Sequence, residues 1–429
     1  MFHSIEECTD FIFKLRASTY KGEPLEAVRK ILFELDNPHE KVKFIHFAGS
    51  NGKGSTLNAT REILMEHGLR VGAFISPHLE RVNERITINK IQIDDDVFLN
   101  YANQIDDIIQ RKLNGLYPSF FEIMTVLACL HYANEKIDIG LMETGIGGRI
   151  DSTNVIHPEV SVITTISLEH TDILGDTIEK IAFEKAGIIK KEKPVVVGVK
   201  QPEAIEVIKK KANETNSKCY FLGKDIKIKD VKKGRLQVFN FSFGNTQMKS
   251  IPLAMQGEHQ INNAALAISA SLLLDSTIKE TTIHKALKKA RWEGRFEQVN
   301  EQIIIDGAHN SEGTQSLINT LKEVYPTKKY KFIYAALQDK DHEVSIRMMD
   351  EVATSMNFTQ INLPRATKAE LLASQSKHSN IHINENWQQL IQDEIKALQS
   401  DELLIITGSL YFISDVRKIL VEKVEAYDS

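Results

Sequence analysis

Phe44-Ile45-His46-Phe47-Ala48-Gly49-Ser50-Asn51-Gly52-Lys53-Gly54-Ser55 decides how this chain is read. An apolar run of strand type leads into a glycine-rich turn, and helical spacing then holds from Ser55 to His67. Strand, glycine loop and helix in that order form the setting of a phosphate-binding loop. Glycines let the backbone curl so that its N–H groups point inward, and Lys53 supplies a cation for the β- and γ-phosphates. Gly54 intervenes between Lys53 and Ser55, so the pattern G-x-x-x-x-G-K-[ST] is not met. That leaves open whether Ser55 stands where the usual magnesium-binding hydroxyl would. A bare βα turn is the competing reading, and it does not explain the lysine.

Outward from the loop, Val71 to Ile75 completes a strand–helix–strand unit. Ile137 to Met142, Val160 to Ile166 and Val195 to Val199 read as buried strands, separated by helices at Phe120 to Asn134 and Ile178 to Lys190. Such alternation predicts an α/β fold with a mostly parallel sheet covered on both faces. From Tyr220 to Leu253 short alternating segments punctuated by Gly223, Gly234 and Gly244 predict a small antiparallel excursion. Helices at Gln260 to Leu274 and Thr281 to Ala290 follow. After Trp292-Glu293-Gly294-Arg295 the alternation restarts with strands at Ile303 to Ile305, Lys331 to Leu337, Thr359 to Leu363, Ile381 to Asn384 and Leu403 to Thr407, and a helix at Ser311 to Val324. The expected domains are 1–294, a P-loop ATPase-type domain, and 295–429, a Rossmann-like α/β domain.

At 429 residues with 42% hydrophobic and 26% charged side chains, the chain exceeds what one hydrophobic core usually serves. Its net charge of −5 comes from mixed charges without a long basic block, which argues against nucleic acid as a partner. The three cysteines, Cys8, Cys129 and Cys219, lack zinc or disulfide spacing. Glu6, Glu7 and Asp10 occupy the start, where a signal peptide needs cations and an apolar stretch. No run approaches the roughly 20 apolar residues of a membrane span. The expectation is a soluble, cytoplasmic protein, taken as a monomer because no extended heptad or apolar stripe is present.

Several further motifs stand in order along the chain: Ser76-Pro77-His78-Leu79, Asn83-Glu84-Arg85-Ile86, Glu143-Thr144-Gly145-Ile146-Gly147-Gly148-Arg149, Ser167-Leu168-Glu169-His170-Thr171, Phe183-Glu184-Lys185-Ala186-Gly187, Asp306-Gly307-Ala308-His309-Asn310 and Thr407-Gly408-Ser409-Leu410-Tyr411. Glu143 ends one predicted strand and His170 follows another, so both are expected at the carboxyl ends of neighbouring parallel strands, where open α/β sheets bind ligands. With the glycine loop and Trp292 to Arg295, these motifs make the chain similar to the folylpolyglutamate synthases and dihydrofolate synthases of the Mur ligase superfamily, from about residue 5 to about 420.

The resemblance implies ATP held by Gly49, Ser50, Asn51, Gly52, Lys53, Gly54, Ser55, Asn263, Arg295, Asp306 and His309. It implies magnesium, two ions or manganese in their place, on Ser76, Glu143 and His170. It also implies a carbamylated Lys185 as a further carboxylate-like ligand, with Lys53, His170, Lys185 and Arg295 serving catalysis. Folate and L-glutamate are the implied substrates, with Phe120, Phe121, Glu122 and Ser409 near them. Taken alone, Glu143 reads as a cap or ion-pair partner, His170 as a loop histidine, Lys185 as a solvated or ion-paired lysine, Arg295 as an interdomain salt bridge and Asp306 as a turn cap.

The reaction expected from the resemblance is amide formation. ATP phosphorylates a carboxylate, and glutamate's amine attacks the acyl phosphate as the second domain closes and excludes water. The acceptor is a reduced folate extended at its γ-carboxylate, or dihydropteroate in the dihydrofolate synthase reaction. The region Tyr20 to Arg29 corresponds loosely to a pterin-binding stretch of the family. Two other readings compete: another Mur-type amide ligase, for which the 48 residues before Gly49 are too few to hold a nucleotide-sugar domain of about 100, and a regulatory ATP-binding protein that ligates nothing.

Overall fold

The computed structural model describes residues 1–15, 18–338 and 342–420. Its first sheet is built from β1 (Phe44–Ala48), β2 (Val71–Phe74), β3 (Ile86–Ile88), β4 (Ile91–Gln92), β5 (Ile139–Glu143), β6 (Val160–Ile163), β7 (Val195–Val197) and β8 (Cys219–Phe221). Their spatial order is β4-β3-β2-β5-β1-β6-β7-β8. The pairs from β2 through β8 are parallel, while β3 and β4 add antiparallel pairs at one edge. Every residue of β1, β5 and β6 is buried, as helices on both faces of a parallel sheet require.

The excursion read from the glycine spacing is a separate three-stranded sheet of β9 (Ile226–Lys232), β10 (Gln237–Phe243) and β11 (Thr246–Leu253), in the order β11-β10-β9. Only Gly244 and Asn245 join β10 to β11, with Gly244 at φ +56°, so the pair is a tight antiparallel hairpin.

The last sheet comprises β12 (Glu297–Asn300), β13 (Ile303–Asp306), β14 (Lys329–Tyr334), β15 (Ala353–Gln360), β16 (Ile381–Asn386) and β17 (Glu402–Thr407), in the order β12-β13-β17-β14-β15-β16. All its pairs are parallel except β12 with β13. The α/β architecture therefore holds in both halves. Compact units form from residues 1–231, 238–253 and 260–290, and from 232–237, 254–259 and 291–429. Among the described residues no helix is long and apolar enough to cross a membrane.

Some boundaries differ from the sequence expectation for identifiable reasons. The strand placed at Thr359 to Leu363 is β15, which starts six residues earlier and buries Ser355, Asn357 and Thr359. Polar residues in a central strand look like a loop in sequence, but Asn357 Nδ2 donates to the Phe332 carbonyl at 3.0 Å. The helix expected from Ser55 begins at Lys53, because Gly52 caps it in the left-handed region at φ +86°. More consequentially, β5 and β6 are not neighbours. β1 lies between them, so Glu143 and His170 leave strands on either side of the glycine loop, about 10 Å apart by strand spacing. Chain order carries no information on where a crossover inserts its strand.

His46 of β1 is fully buried, and burial pushes its imidazolium down to about 3. Thr153 Oγ1 donates to Asp151, so its 2.8 Å contact with His46 Nε2 is accepted from a neutral Nε2–H tautomer. The unfolded chain binds a proton near 6.5 that the native state refuses down to about 3. Stability contributed by His46 is therefore complete above pH 6.5 and is lost as pH falls below it, by roughly 1.4 kcal/mol per pH unit. In urea unfolding, His46→Gln is expected to lose less stability than the wild type between pH 7 and pH 5. Parallel pH profiles for the two proteins would contradict this.

Candidate active site

In the first unit the site is organised by the turn between β1 and the helix Lys53–Glu66. The connection after β1 runs toward β2 on one side, and that after β6 runs toward β7 on the other. The carboxyl ends of β1 and β6 therefore flank a topological switch point, the usual crevice for ligands. Here the two loops are sewn together. Ser50 N donates to the Thr165 carbonyl at 2.8 Å and Asn51 N to Thr165 Oγ1 at 2.9 Å. Thr164 Oγ1 donates to the Asn51 carbonyl at 2.6 Å, and Ser167 N to Ser50 Oγ at 2.9 Å. Thr164, Thr165 and Ser167 thus fix the loop's shape, a role the sequence reading did not assign. The hydroxyl-rich Thr-Thr-Ile-Ser after an apolar strand was its only signal.

Lys53 is the first helical residue, and its Nζ donates to the Gly49 carbonyl at 2.7 Å. The N–H groups of Lys53, Gly54 and Ser55 lie in the first helical turn, which has no intrahelical acceptors, and this is the source of a helix start's attraction for anions. Asn263 packs beneath the loop: a Cβ on Gly52 would lie 2.5 Å from Asn263 Oδ1. Asn263 Nδ2 is held by Gln260 Oε1 at 3.1 Å, and Gln260 also reaches Ser55 Oγ at 3.4 Å. Gly52→Ala would meet both this contact and a positive φ. Turnover is expected to fall by about 10²-fold as the loop is displaced by an ångström or so, with thermal unfolding showing a smaller loss. Unchanged kinetics would refute the fit of Gly52 against Asn263.

On one side of the loop, Ser76 N donates to Glu143 Oε2 at 3.2 Å, bringing together two residues expected at the metal. Glu143 is buried at the end of β5. The following turn is held by Asp151, which accepts from Gly145 N at 2.9 Å and Ile146 N at 3.0 Å. A Cβ on Gly148 would meet the Glu184 and Lys185 carbonyls at about 3 Å, so this glycine brings the turn onto the helix Ile178–Ala186.

On the other side stand Glu169, His170 and Lys185. His170 is exposed and left-handed at φ +47°, ahead of the short helix Thr171–Leu174. Lys185 is 2% exposed and donates to Glu169 Oε1 at 2.8 Å. Burial opposes charge on both partners. On Lys185 it prevails, aided by repulsion from Lys53, and lowers the ammonium to about 8 despite the attraction of Glu169. On Glu169 burial is again the largest single influence, but Lys185 and Lys53 together outweigh it and hold the carboxyl down to about 2.

The residues expected near substrate divide. Phe120 stacks on Phe13 with centroids 4.8 Å apart and lies under Arg85, whose guanidinium carbon is 5.0 Å from the ring centre. Arg85 Nε also donates to His78 Nδ1 at 2.8 Å. Phe121 packs on Phe74 and against Gly145, a core role. Glu122 turns back on its own helix start, accepting from Ser119 N at 2.8 Å and Ser119 Oγ at 2.6 Å. This is a capping box.

The second unit contains Arg295, Asp306, His309 and Ser409. Asp306 ends β13 and accepts from Phe296 N at 2.6 Å and Ala308 N at 2.8 Å. Burial raises its carboxyl above the usual range while Arg295 opposes the shift. Arg295 Nη1 donates to the Gly307 carbonyl at 3.1 Å, and His309 Nδ1 lies 2.8 Å from the same oxygen. Ser409 Oγ accepts from Tyr411 N at 3.2 Å at the start of the helix Leu410–Leu420. Carbonyl and amide contacts thus orient all four side chains.

The chain as a whole resembles known proteins. Residues 47–271 match the Mur ligase middle domain, and residues 294–410 match the Mur ligase glutamate ligase domain. A dihydrofolate synthase/folylpolyglutamate synthase of Bacillus subtilis is 38% identical, over 98% of this chain and 100% of the relative. A Mycobacterium tuberculosis folylpolyglutamate synthase solved with ADP and AMPPCP superposes with a TM-score of 0.88 at 26% identity, covering 96% of this chain and 97% of that one. E. coli FolC in complex with DHPP and ADP gives 0.88 at 25% identity, covering 99% of each chain. With this agreement end to end in sequence and fold, the chain belongs to the folylpolyglutamate synthase/dihydrofolate synthase family of Mur ligases.

Proposed function

We propose that the protein is an ATP-dependent acid–amino-acid ligase that adds L-glutamate to the γ-carboxylate of reduced folates, and that it also joins dihydropteroate to glutamate. The observation that carries the reading is the glycine loop locked to the strand beyond it, with Glu143 held by Ser76 and Lys185 held by Glu169 beside it. Family membership agrees, and relatives were solved with ADP, AMPPCP or DHPP.

The loop amides and Lys53 hold and orient the ATP phosphates. A bond forms between the folate carboxylate oxygen and the γ-phosphorus as the bond to ADP breaks. Glutamate's amine then attacks the acyl carbon, and phosphate departs from the tetrahedral intermediate. Preorganised donors aimed at the transferring group are the main protein contribution to such a step. Arg295, Asp306, His309 and Asn263 are proposed nucleotide contacts, with Arg295 also countering phosphate charge. Phe120, Phe121, Glu122 and Ser409 are proposed to bound the folate and glutamate positions, Glu122 through the helix start it caps.

Ser76, Glu143 and His170 suit magnesium, or manganese, at one or two positions. Among the described residues no group of three His, Cys, Asp or Glu side chains gathers to hold a metal. Magnesium needs none, because it combines one or two carboxylates with substrate phosphates and water. Bound there, it would neutralise charge on the transferring phosphoryl group. Lys185 is proposed to carry a carbamate: its neutral amine, accessible because burial lowers the ammonium to about 8, attacks CO2 and releases a proton. A cytoplasmic monomer is the proposed working form.

The test is product mass after incubation with ATP, magnesium and glutamate, with tetrahydrofolate or dihydropteroate as acceptor. One glutamyl unit gained on tetrahydrofolate supports the synthase, and a gain on dihydropteroate supports the second activity. ADP release that ignores both acceptors would overturn the ligase reading.

A further inference from the structure

The first unit carries a cavity of about 800 Å³ toward the amino ends of its strands. Its lining includes His39, which precedes β1, His157, which precedes β6, and Lys190, which precedes β7. The glycine loop, Glu143 and His170 all follow the carboxyl ends of their strands. A five-residue β1 sets the two regions about 16 Å apart.

Charge in this cavity is distributed unevenly. Glu26 is paired with Lys30 at 2.8 Å and Glu34 with Lys112 at 2.9 Å, so those four charges cancel locally. Glu23 and Glu40 are exposed. Lys190 is different. Its Nζ donates to the Asn154 carbonyl at 2.9 Å, which uses one of three donors. The charged groups acting on it are Arg29 and Lys211, both cations, and with burial as the larger cause they lower its ammonium to about 8. Arg29, His39 and His157 line the same space.

One further feature is not electrostatic: Phe33, 70% exposed, offers an open aromatic face on the lining.

We propose that this cavity binds a flat heteroaromatic ligand bearing at least two anionic groups, with its ring on Phe33 and its anions on Arg29 and Lys190. Nucleotides and folyl oligoglutamates share this chemistry. The glycine loop plays no part in this cavity; because Arg29 falls in the Tyr20 to Arg29 stretch that the resemblance ties to the pterin, a folyl occupant rests on the ligase reading and a nucleotide occupant does not.

Phe33→Trp places a fluorescent ring on the exposed position while keeping an aromatic face there. The full-length variant is titrated with AMP, with pteroyl-hexaglutamate and with γ-hexaglutamate, and the wild-type signal of the native tryptophans is subtracted. Saturable quenching by AMP alone identifies a nucleotide site, and by pteroyl-hexaglutamate alone a folyl site. Adding Arg29→Glu is expected to weaken that binding about tenfold or more, since charge-assisted contacts are lost. Adding Lys53→Ala should leave it unchanged. Equilibrium dialysis of the wild type against Arg29→Glu repeats the comparison without the reporter. Absence of quenching by both ring-bearing probes, quenching insensitive to Arg29→Glu, loss with Lys53→Ala, or equally tight binding of ringless γ-hexaglutamate would each overturn the proposal.

Discussion

Replacing Lys53 with alanine is expected to lower ligase turnover by about 10³-fold while leaving the fold intact. Lys53 begins the helix after the glycine loop, and its Nζ lies 2.7 Å from the Gly49 carbonyl. Lys185, whose ammonium is repelled by Lys53, is committed to Glu169 at 2.8 Å and is not free to replace it. The loop's shape rests on Thr164, Thr165 and Ser167, whose bonds to Ser50 and Asn51 do not involve the Lys53 ammonium. Thermal unfolding should accordingly stay close to that of the wild type. A rate within tenfold of wild type would remove Lys53 from the phosphate site, and a collapse in stability would recast it as structural.

Glu143→Gln is expected to have the next largest effect, a loss of about 10² in turnover at ordinary magnesium. The amide oxygen of glutamine can still accept from Ser76 N, which Glu143 now does at 3.2 Å, so the local backbone is preserved. What disappears is a negative charge at the buried end of β5. Raising magnesium or manganese should recover part of the rate if that charge serves a cation. Recovery indifferent to metal concentration would point to a purely structural carboxylate.

How far the site could be read in advance depended on what each residue does. The turn from Gly49 to Ser55 was legible because a glycine-rich connection between strand and helix constrains local backbone, and local backbone constrains adjacent residue types. The Phe120–Asn134 helix was placed to the residue, since Ser119 and Glu122 write its capping box into the sequence. The same pair shows a limit: the resemblance led Glu122 to be expected near the substrate, yet its carboxylate is engaged by Ser119. Thr164 and Thr165 were passed over because hydroxyl side chains after a strand have many ordinary uses, and their partner lies more than 110 residues away. β12 was missed because an alternating edge strand of Glu297–Asn300 offers little apolar signal.

By itself the sequence determined the α/β class, the glycine-rich loop between β1 and its helix, and the order of the motifs, all of which follow from periodicity and local backbone requirements. Tertiary structure alone decided that β1 stands between β5 and β6, so that Glu143 and Glu169 follow strands on opposite sides of the loop. It alone decided that Lys185 is buried against Glu169 and that Asn263 seats Gly52. Strand order, burial and pairing depend on contacts between residues far apart in the chain. Spacing along the chain does not encode which distant element will arrive beside it.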